Sequence, residues 1–421
     1  MFILFGLIAV ITPIKAEPQQ QILFSTMVGG QGDDNLTTIA TDSDGTVYAG
    51  GFTSSQWSQS ALQALLVKIT PDGTMITKTL GLQGVDKIID ILVPADPRDE
   101  HIWIALDSSS GLYTQYTYTV DGTGMSDIKL FRLKKSDLSE VFSITIGDIS
   151  DDNASMLFER GLDIGILGTS RSFAYPGTVP GTREGLSDPV VTVINYRSSF
   201  PEAVGSKYLV SPDHQIITSG IQEGGKLYFV GQNMNARGEF IGYLRGYDIP
   251  TFQETQPVTL ELGMYPTDIE LLDNNLHIVG YKGIIESQNG KYFIFNKALQ
   301  PIASYGALPA ISGITTYNDT LLMSTYEQSS QSSKLDIGFR YWQNGTISPL
   351  LYQIGSSDNE YLMDLQPIGG DLVFSGNTVG RDYPVTNGST YQGHYEGILT
   401  RFNLNVLPGP IYKNYLPLLI K

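Results

Sequence analysis

The sequence predicts an all-β chain folded as a seven-bladed β-propeller of four-stranded antiparallel blades, closed by its N-terminal strand. Three observations carry this. A tight turn followed by an apolar strand recurs seven times, and a further apolar strand follows each copy. The chain also stops one strand short of a full last unit, while an unmatched strand stands at its start.

In chain order the turn-and-strand copies are DGTVYAGG from Asp44, DEHIWIAL from Asp99, LDIGILGTS from Leu162, GGKLYFVGQ from Gly224, NNLHIVGY from Asn274, NDTLLMST from Asn318 and GGDLVFSGNT from Gly369. Most of these turns use Asn, Asp and Gly pairs, which accept the positive φ of a two-residue hairpin. The copies recur roughly every 54 residues, within the range of propeller blades with their loops. The strands that follow are ALLVKIT, DIKLFRLK, DPVVTVIN, FIGYLRGY, KYFIFNK, DIGFRYW and GILTRFN. The last unit ends after this third strand, at Phe402 and Asn403. The strand ILFSTMV, before the first unit, is the natural fourth strand of the last blade, and pairing them closes the ring and removes the exposed sheet edge that an open array would leave. The propeller is thus expected over 20–403.

Outside that span, MFILFGLIAVITPIKA at 1–16 reads as a signal peptide, an apolar run ended by Pro13 with the small Ala16 at a cleavable position. It has no Lys or Arg ahead of the apolar core. The run is too short to span a bilayer and nothing later is longer, so no transmembrane segment is expected. The tail at 404–421 reads either as a sorting or docking peptide or as an apolar strap across the body. Export, to the outside or the cell surface of a bacterium, is the expected localisation. With no cysteine, the fold must be held by its core alone.

The stretch Gly29 to Gly51 resembles the bacterial SBBP β-propeller repeat. The residues that carry the resemblance are Gly29, Gly30, Gly32, Asp33, Asp34, Ile39, Ala40, Asp42, Gly45, Tyr48 and Gly51, with LLVKIT from Leu65 for the later strand. The last blade matches fairly, and blades two to six depart in most loop positions. The resemblance implies the propeller fold and an exported or surface protein, and no defined activity.

The net charge of −17 leaves no clustered Lys and Arg for a polyphosphate, so nucleic acid is not an expected partner. Carboxylates recur in the loops that lead into blades: Asp33 and Asp34, Asp86, Asp151 with Asp148 and Asp152, and Asp358 with Glu360. Gathered at one channel mouth they could bind Ca²⁺ or serve as a glycosidase acid and nucleophile. The plainer reading is that each aspartate fixes its own glycine-rich turn, and this is favoured because a local role explains why the motif repeats. No cofactor is predicted. Aromatic side chains populate the long loops after the second strands, with Trp57, Tyr116, Tyr175 and Tyr391 beside His394, and could stack on a glycan or simply pin the loops. The four histidines lack metal-ligand spacing and no nucleophile elbow or phosphate loop is present, so no catalytic residue is assigned. The preferred function is a non-enzymatic binding module for a protein or glycan. The alternatives are a carbohydrate-active hydrolase or lyase using mouth carboxylates, and a structural surface-layer component.

Overall fold

The computed structural model describes residues 22–403, apart from 56–61, 81–83, 110–115, 120–125, 162, 173–174, 177, 179–186, 197–201, 210–212, 236, 284–288, 329–333, 344, 387–388, 390–391 and 393. The leader at 1–16 and the tail at 404–421 lie outside the described residues. Seven separate sheets follow one another along the chain, and the described residues contain no helix. This is the seven-bladed propeller expected from the sequence.

Blade 1 comprises Asp34–Thr41, Val47–Thr53, Gln63–Ile69 and Met75–Leu80, innermost strand first, and each later blade repeats the plan. Apolar residues on both faces of the middle strands make the core. The second and third strands of blade 1 are buried nearly throughout, whereas its outermost strand alternates between exposed and half-buried. Hydrophobic clusters bridge neighbouring blades; one joins Leu36, Ile39 and Val47 of blade 1 to Val373 and Leu399 of blade 7.

Blade 7 is closed as expected. Ile22–Val28 pairs antiparallel with Glu396–Asn403, which pairs onward with Asp371–Thr378, itself paired with the innermost strand Glu360–Ile368. Pro384, Thr386 and Ser389, from the connection between the second and third strands, then cover the outer edge of this clasp strand. Thr386 N–H donates to the Ser25 carbonyl at 2.9 Å, Ser25 Oγ donates to the Pro384 carbonyl at 2.6 Å, and Met27 N–H donates to Ser389 Oγ at 2.9 Å.

The hairpin turns use the residues that mark them in the sequence. Asp273 with Asn274 and Asn318 with Asp319 all have positive φ, as a two-residue hairpin of this hand requires. Three blades depart from four plain strands. Blade 2 gains a fifth, Tyr116–Thr119, which adds parallel to its outermost strand Glu140–Gly147. The outermost strands of blades 4 and 6 are each split in two.

Every innermost strand carries a β-bulge at the same place. The extra residues are Thr37, Ile89, Ser155, Thr218, Thr267, Ser312 and Met363. Because side chains alternate along a strand, one extra residue moves the buried set to the other parity. In blade 7, Glu360 and Leu362 are buried before the bulge and Leu365 after it. The residue just after the bulge is thereby turned to the central channel and the next blade.

Candidate functional site

Both the loops that lead into innermost strands and the loops joining second to third strands emerge on one face of the ring, because strand direction alternates within each blade. The eight described candidates belong to these loops or their edges, so the topology brings them to one face. It does not bring the carboxylates to one point.

Asp34, Asp86, Asp152 and Glu360 are each the first residue of an innermost strand, and each is fully buried. Each carboxyl accepts a hydroxyl from beyond its own blade's second strand or at that strand's end. Asp34 Oδ2 accepts from Ser55 Oγ at 2.6 Å, Asp152 Oδ2 from Ser172 Oγ at 2.9 Å and Glu360 Oε1 from Thr378 Oγ1 at 2.8 Å, and Asp86 Oδ1 accepts from Ser108 Oγ. Three also accept the backbone N–H four residues earlier: Gly30 to Asp34 at 2.8 Å, Asp148 to Asp152 at 2.8 Å and Ser356 to Glu360 at 3.0 Å. This is the turn-fixing role. Burial pushes the carboxyl of Asp152 up to about 7 and that of Glu360 up to about 8, against the pull of these hydrogen bonds.

The neighbouring loop acids are more open. Asp33 is exposed, Asp151 pairs with Arg171 at 3.2 Å and Asp358 lies 3.6 Å from Lys334. Among the described residues no group of three or more His, Asp or Glu could hold a metal ion.

The aromatic candidates divide. Trp57 and Tyr391 lie outside the described residues. Tyr116 opens the added edge strand of blade 2. Tyr175 is buried, edge-on to Tyr208, and its hydroxyl takes a hydrogen bond from Thr192 at 3.3 Å, so it pins its loop to blade 3. His394 is exposed beside Tyr395, which bridges to Asp33 and is itself 43% exposed.

A second set of carboxyls, none of them among the candidates, faces the central channel. The channel holds a cavity of 520 Å³ whose wall is the seven bulges and the residues after them. Asp90, Asp268, Glu270 and Asp364 line it, and its lining residues include no Lys, Arg or His. Three of the four follow a bulge directly, and each accepts the backbone N–H of the next residue and one from the following blade. Asp90 takes Ile91 at 2.8 Å and Leu157 at 2.6 Å, Asp268 takes Ile269 at 2.8 Å and Ile314 at 3.0 Å, and Asp364 takes Leu365 at 2.6 Å and Ile39 at 2.8 Å. Hydroxyls of the bulge residues add to this lacing. Thr37 donates to the Ile88 carbonyl at 2.9 Å and Thr267 to the Ile311 carbonyl at 3.0 Å. Burial pushes Asp90 up to about 6, and Asp364 and Glu270 each up to about 7, with the Asp268 charge adding to both of the latter. The one signal in the sequence is an acid just before an apolar residue in first strands (DIL, DIE, DLQ), which only an alignment of the blades on their bulges makes visible.

No protein-family model and no curated protein sequence matches the chain. Solved structures do. A chain of a mitotic checkpoint complex crystal structure superposes with a TM-score of 0.52 at 9% identity, covering 96% of this chain and 98% of that one. The polysaccharide lyase Uly1 superposes with a TM-score of 0.52 at 11% identity, covering 89% and 90%. BamB from Moraxella catarrhalis gives 0.45 at 12% identity, covering 91% and 99%. At such identities the likeness shows the propeller fold alone.

Proposed function

We propose that this protein is an exported, non-enzymatic binding module that meets a protein or glycan on one side of its loop face. The supporting observation is an asymmetry of that face. The second-to-third-strand connections at 109–126, 171–187 and 379–395, in blades 2, 3 and 7, are much longer than those at 235–239, 283–289 and 329–334 in blades 4, 5 and 6. The long ones therefore flank blade 1 on both sides. On the same side three large apolar side chains stay in solvent: Val85 (38% exposed), Ile149 (60%) and Tyr395 (43%). Long loops and exposed apolar groups on a rigid frame are the usual makings of a recognition surface.

A glycosidase reading needs two carboxyl groups that reach one substrate, some 5–10 Å apart. Asp34 and Glu360 are closed off from solvent and committed to their turns, while Asp33, Asp151 and Asp358 stand in different blades. Binding is tested with a glycan array and a pull-down from extracellular material, using the intact protein and an Ile149→Ser/Tyr395→Ala variant. A ligand held by the former and lost by the latter supports the proposal. No ligand in either assay, or binding indifferent to the double change, overturns it.

A further inference from the structure

We propose that the apolar segment 404–421 docks back on its own ring as a strap, in a groove between blades 7 and 1 on the face opposite the long loops. The sequence leaves this segment two uses, as a docking peptide for another molecule or as an apolar strap across the body. The groove favours the second.

The chain leaves the ring beside this groove. Glu396–Asn403 is the third strand of blade 7 and runs from the loop face to the opposite face, where the turns at 42–46 and 70–74 of blade 1 also lie. Between the two blades is a cavity of 340 Å³, near the lower end of the size of small-ligand pockets. Phe24, Val373 and Leu399 of blade 7 wall it together with Val47 and Ile69 of blade 1, and Arg401 and the turn from Thr70 to Gly73 complete it. Arg401 stands only two residues before Asn403. An extended chain advances about 3.3 Å per residue, so the first six residues after Asn403 can reach about 20 Å, enough to turn back into the opening.

A bulge turns an apolar side chain outward at this opening. In the clasp, Ile22 pairs with Phe402 and Phe24 with Arg401, which leaves Leu23 as an extra residue. A bulge re-aims the side chain it carries, and here Leu23, which also lines the cavity, is left 46% exposed. Just beyond the turn of blade 1, Met75 pairs with Ile69 and is 42% exposed. The described residues leave both side chains in solvent, and an apolar segment laid over them would take them out of water.

The chemistry of the segment matches the groove. LNVLPGPIYKNYLPLLIK carries ten large apolar or aromatic residues, which suit the apolar wall, and two lysines with no Asp or Glu, in a chain whose net charge is −17. At the groove Asp72 is open to solvent, and the Thr70 hydroxyl holds its carboxyl below the usual range, so it is charged at neutral pH and available to a lysine. Arg401 is already paired with Asp371 at 2.7 Å, so its charge is met and does not oppose the lysines. The neighbouring seam differs. Between blades 1 and 2 the cavity on the same face is walled by Asp42, Asp99, Glu100, Lys134 and Lys135, a lining that an apolar segment would desolvate at a cost.

The chain has no cysteine, so Leu23→Cys places a single thiol at the mouth of the groove. Its rate of reaction with a maleimide is measured in the full chain, in a chain ending at Asn403, and in a full chain that also carries Leu416→Ser, Leu418→Ser and Leu419→Ser, each with and without residues 1–16. The expected result is labelling about tenfold slower in the full chain than in the other two, as for a site covered nine-tenths of the time, at every protein concentration. Should the shortened chain not fold, the serine variant decides. Equal rates in all three, or a serine variant as slow as the full chain, overturn the proposal and leave the groove to a separate partner. So does protection that appears only as protein concentration rises, which would seat the segment on a second copy. Protection lost on removing residues 1–16 overturns it too, by giving the groove to the leader.

Discussion

Gly51→Ala and Gly205→Ala are the same chemical change in two strands of one protein, and the structure gives them opposite signs. Gly51 lies in the second strand of blade 1, opposite Leu36 at the start of the bulge. A Cβ there would run into the Asn35 carbonyl oxygen, a backbone atom of the paired strand that cannot swing aside. Gly168, Gly231, Gly280 and Gly376 stand in the same relation to Asn153, Ile216, Tyr265 and Tyr361 in blades 3, 4, 5 and 7. This close approach, rather than backbone freedom, is why a glycine closes so many of the second-strand motifs. Overpacking a well-filled site costs about 1–3 kcal/mol, and an unyielding backbone obstacle places Gly51→Ala at the upper end of that range. Removing a glycine from the unfolded chain returns about 0.5–1 kcal/mol, for a net loss of about 2 kcal/mol. Gly205 lies in the outermost strand of blade 3, and among the described residues nothing is nearer to its Cβ position than Phe252 Cε1 at 4.0 Å. Its change to Ala keeps only the return and should stabilise by about 0.5 kcal/mol. Urea denaturation followed by circular dichroism measures both. If Gly51→Ala were neutral or stabilising, or the two variants shifted together, the steric account of the bulge would be wrong.

Two other outcomes follow from the ring. Deleting Ile22–Val28 should leave the edge of Glu396–Asn403 open, so the protein should associate or precipitate on size-exclusion chromatography, and a peptide of residues 20–30 should restore the monomer; a well-behaved monomer without the strand would show that the clasp does not close the ring. Asp364→Asn removes a carboxyl that burial raises to about 7, hence one whose contribution falls as pH rises from about 4 to 7. The midpoint of the variant, relative to wild type, should therefore rise across that interval and level off above it, and a constant difference from pH 4 to 8 would contradict the assignment.

The parts of the fold that were legible are those written locally. Gly45, Asn274 and Asn318-Asp319 announce hairpins because only a few residues accept their positive φ, although in blade 5 the turn begins one residue earlier than the sequence suggested, at Asp273. The unmatched first strand announced its place because the last unit lacked one. The turn role of Asp34, Asp86 and Asp152 was legible for the same reason, as the partners lie within about one blade of sequence. Asp90, Asp268 and Asp364 were not. Their meaning depends on a bulge, which shifts the alternation by one residue and leaves no distinctive mark in a single sequence. The N–H groups they hold belong to the neighbouring blade, Leu157 for Asp90, Ile314 for Asp268 and Ile39 for Asp364.

The clasp also sets an order of events. Ser25 and Thr400 touch at 3.0 Å although 375 positions separate them in the chain. The strand that leaves the ribosome first among the described elements is therefore the last to find its partner. Until Glu396–Asn403 has been synthesised, Ile22–Val28 must wait unpaired, an apolar segment in need of shelter, while the blades from the first to the sixth can assemble behind it. A contact that closes so long a loop comes late and slowly. A chaperone that occupies the waiting strand, or an interruption of synthesis before residue 396, would thus decide between a finished ring and a sticky open one.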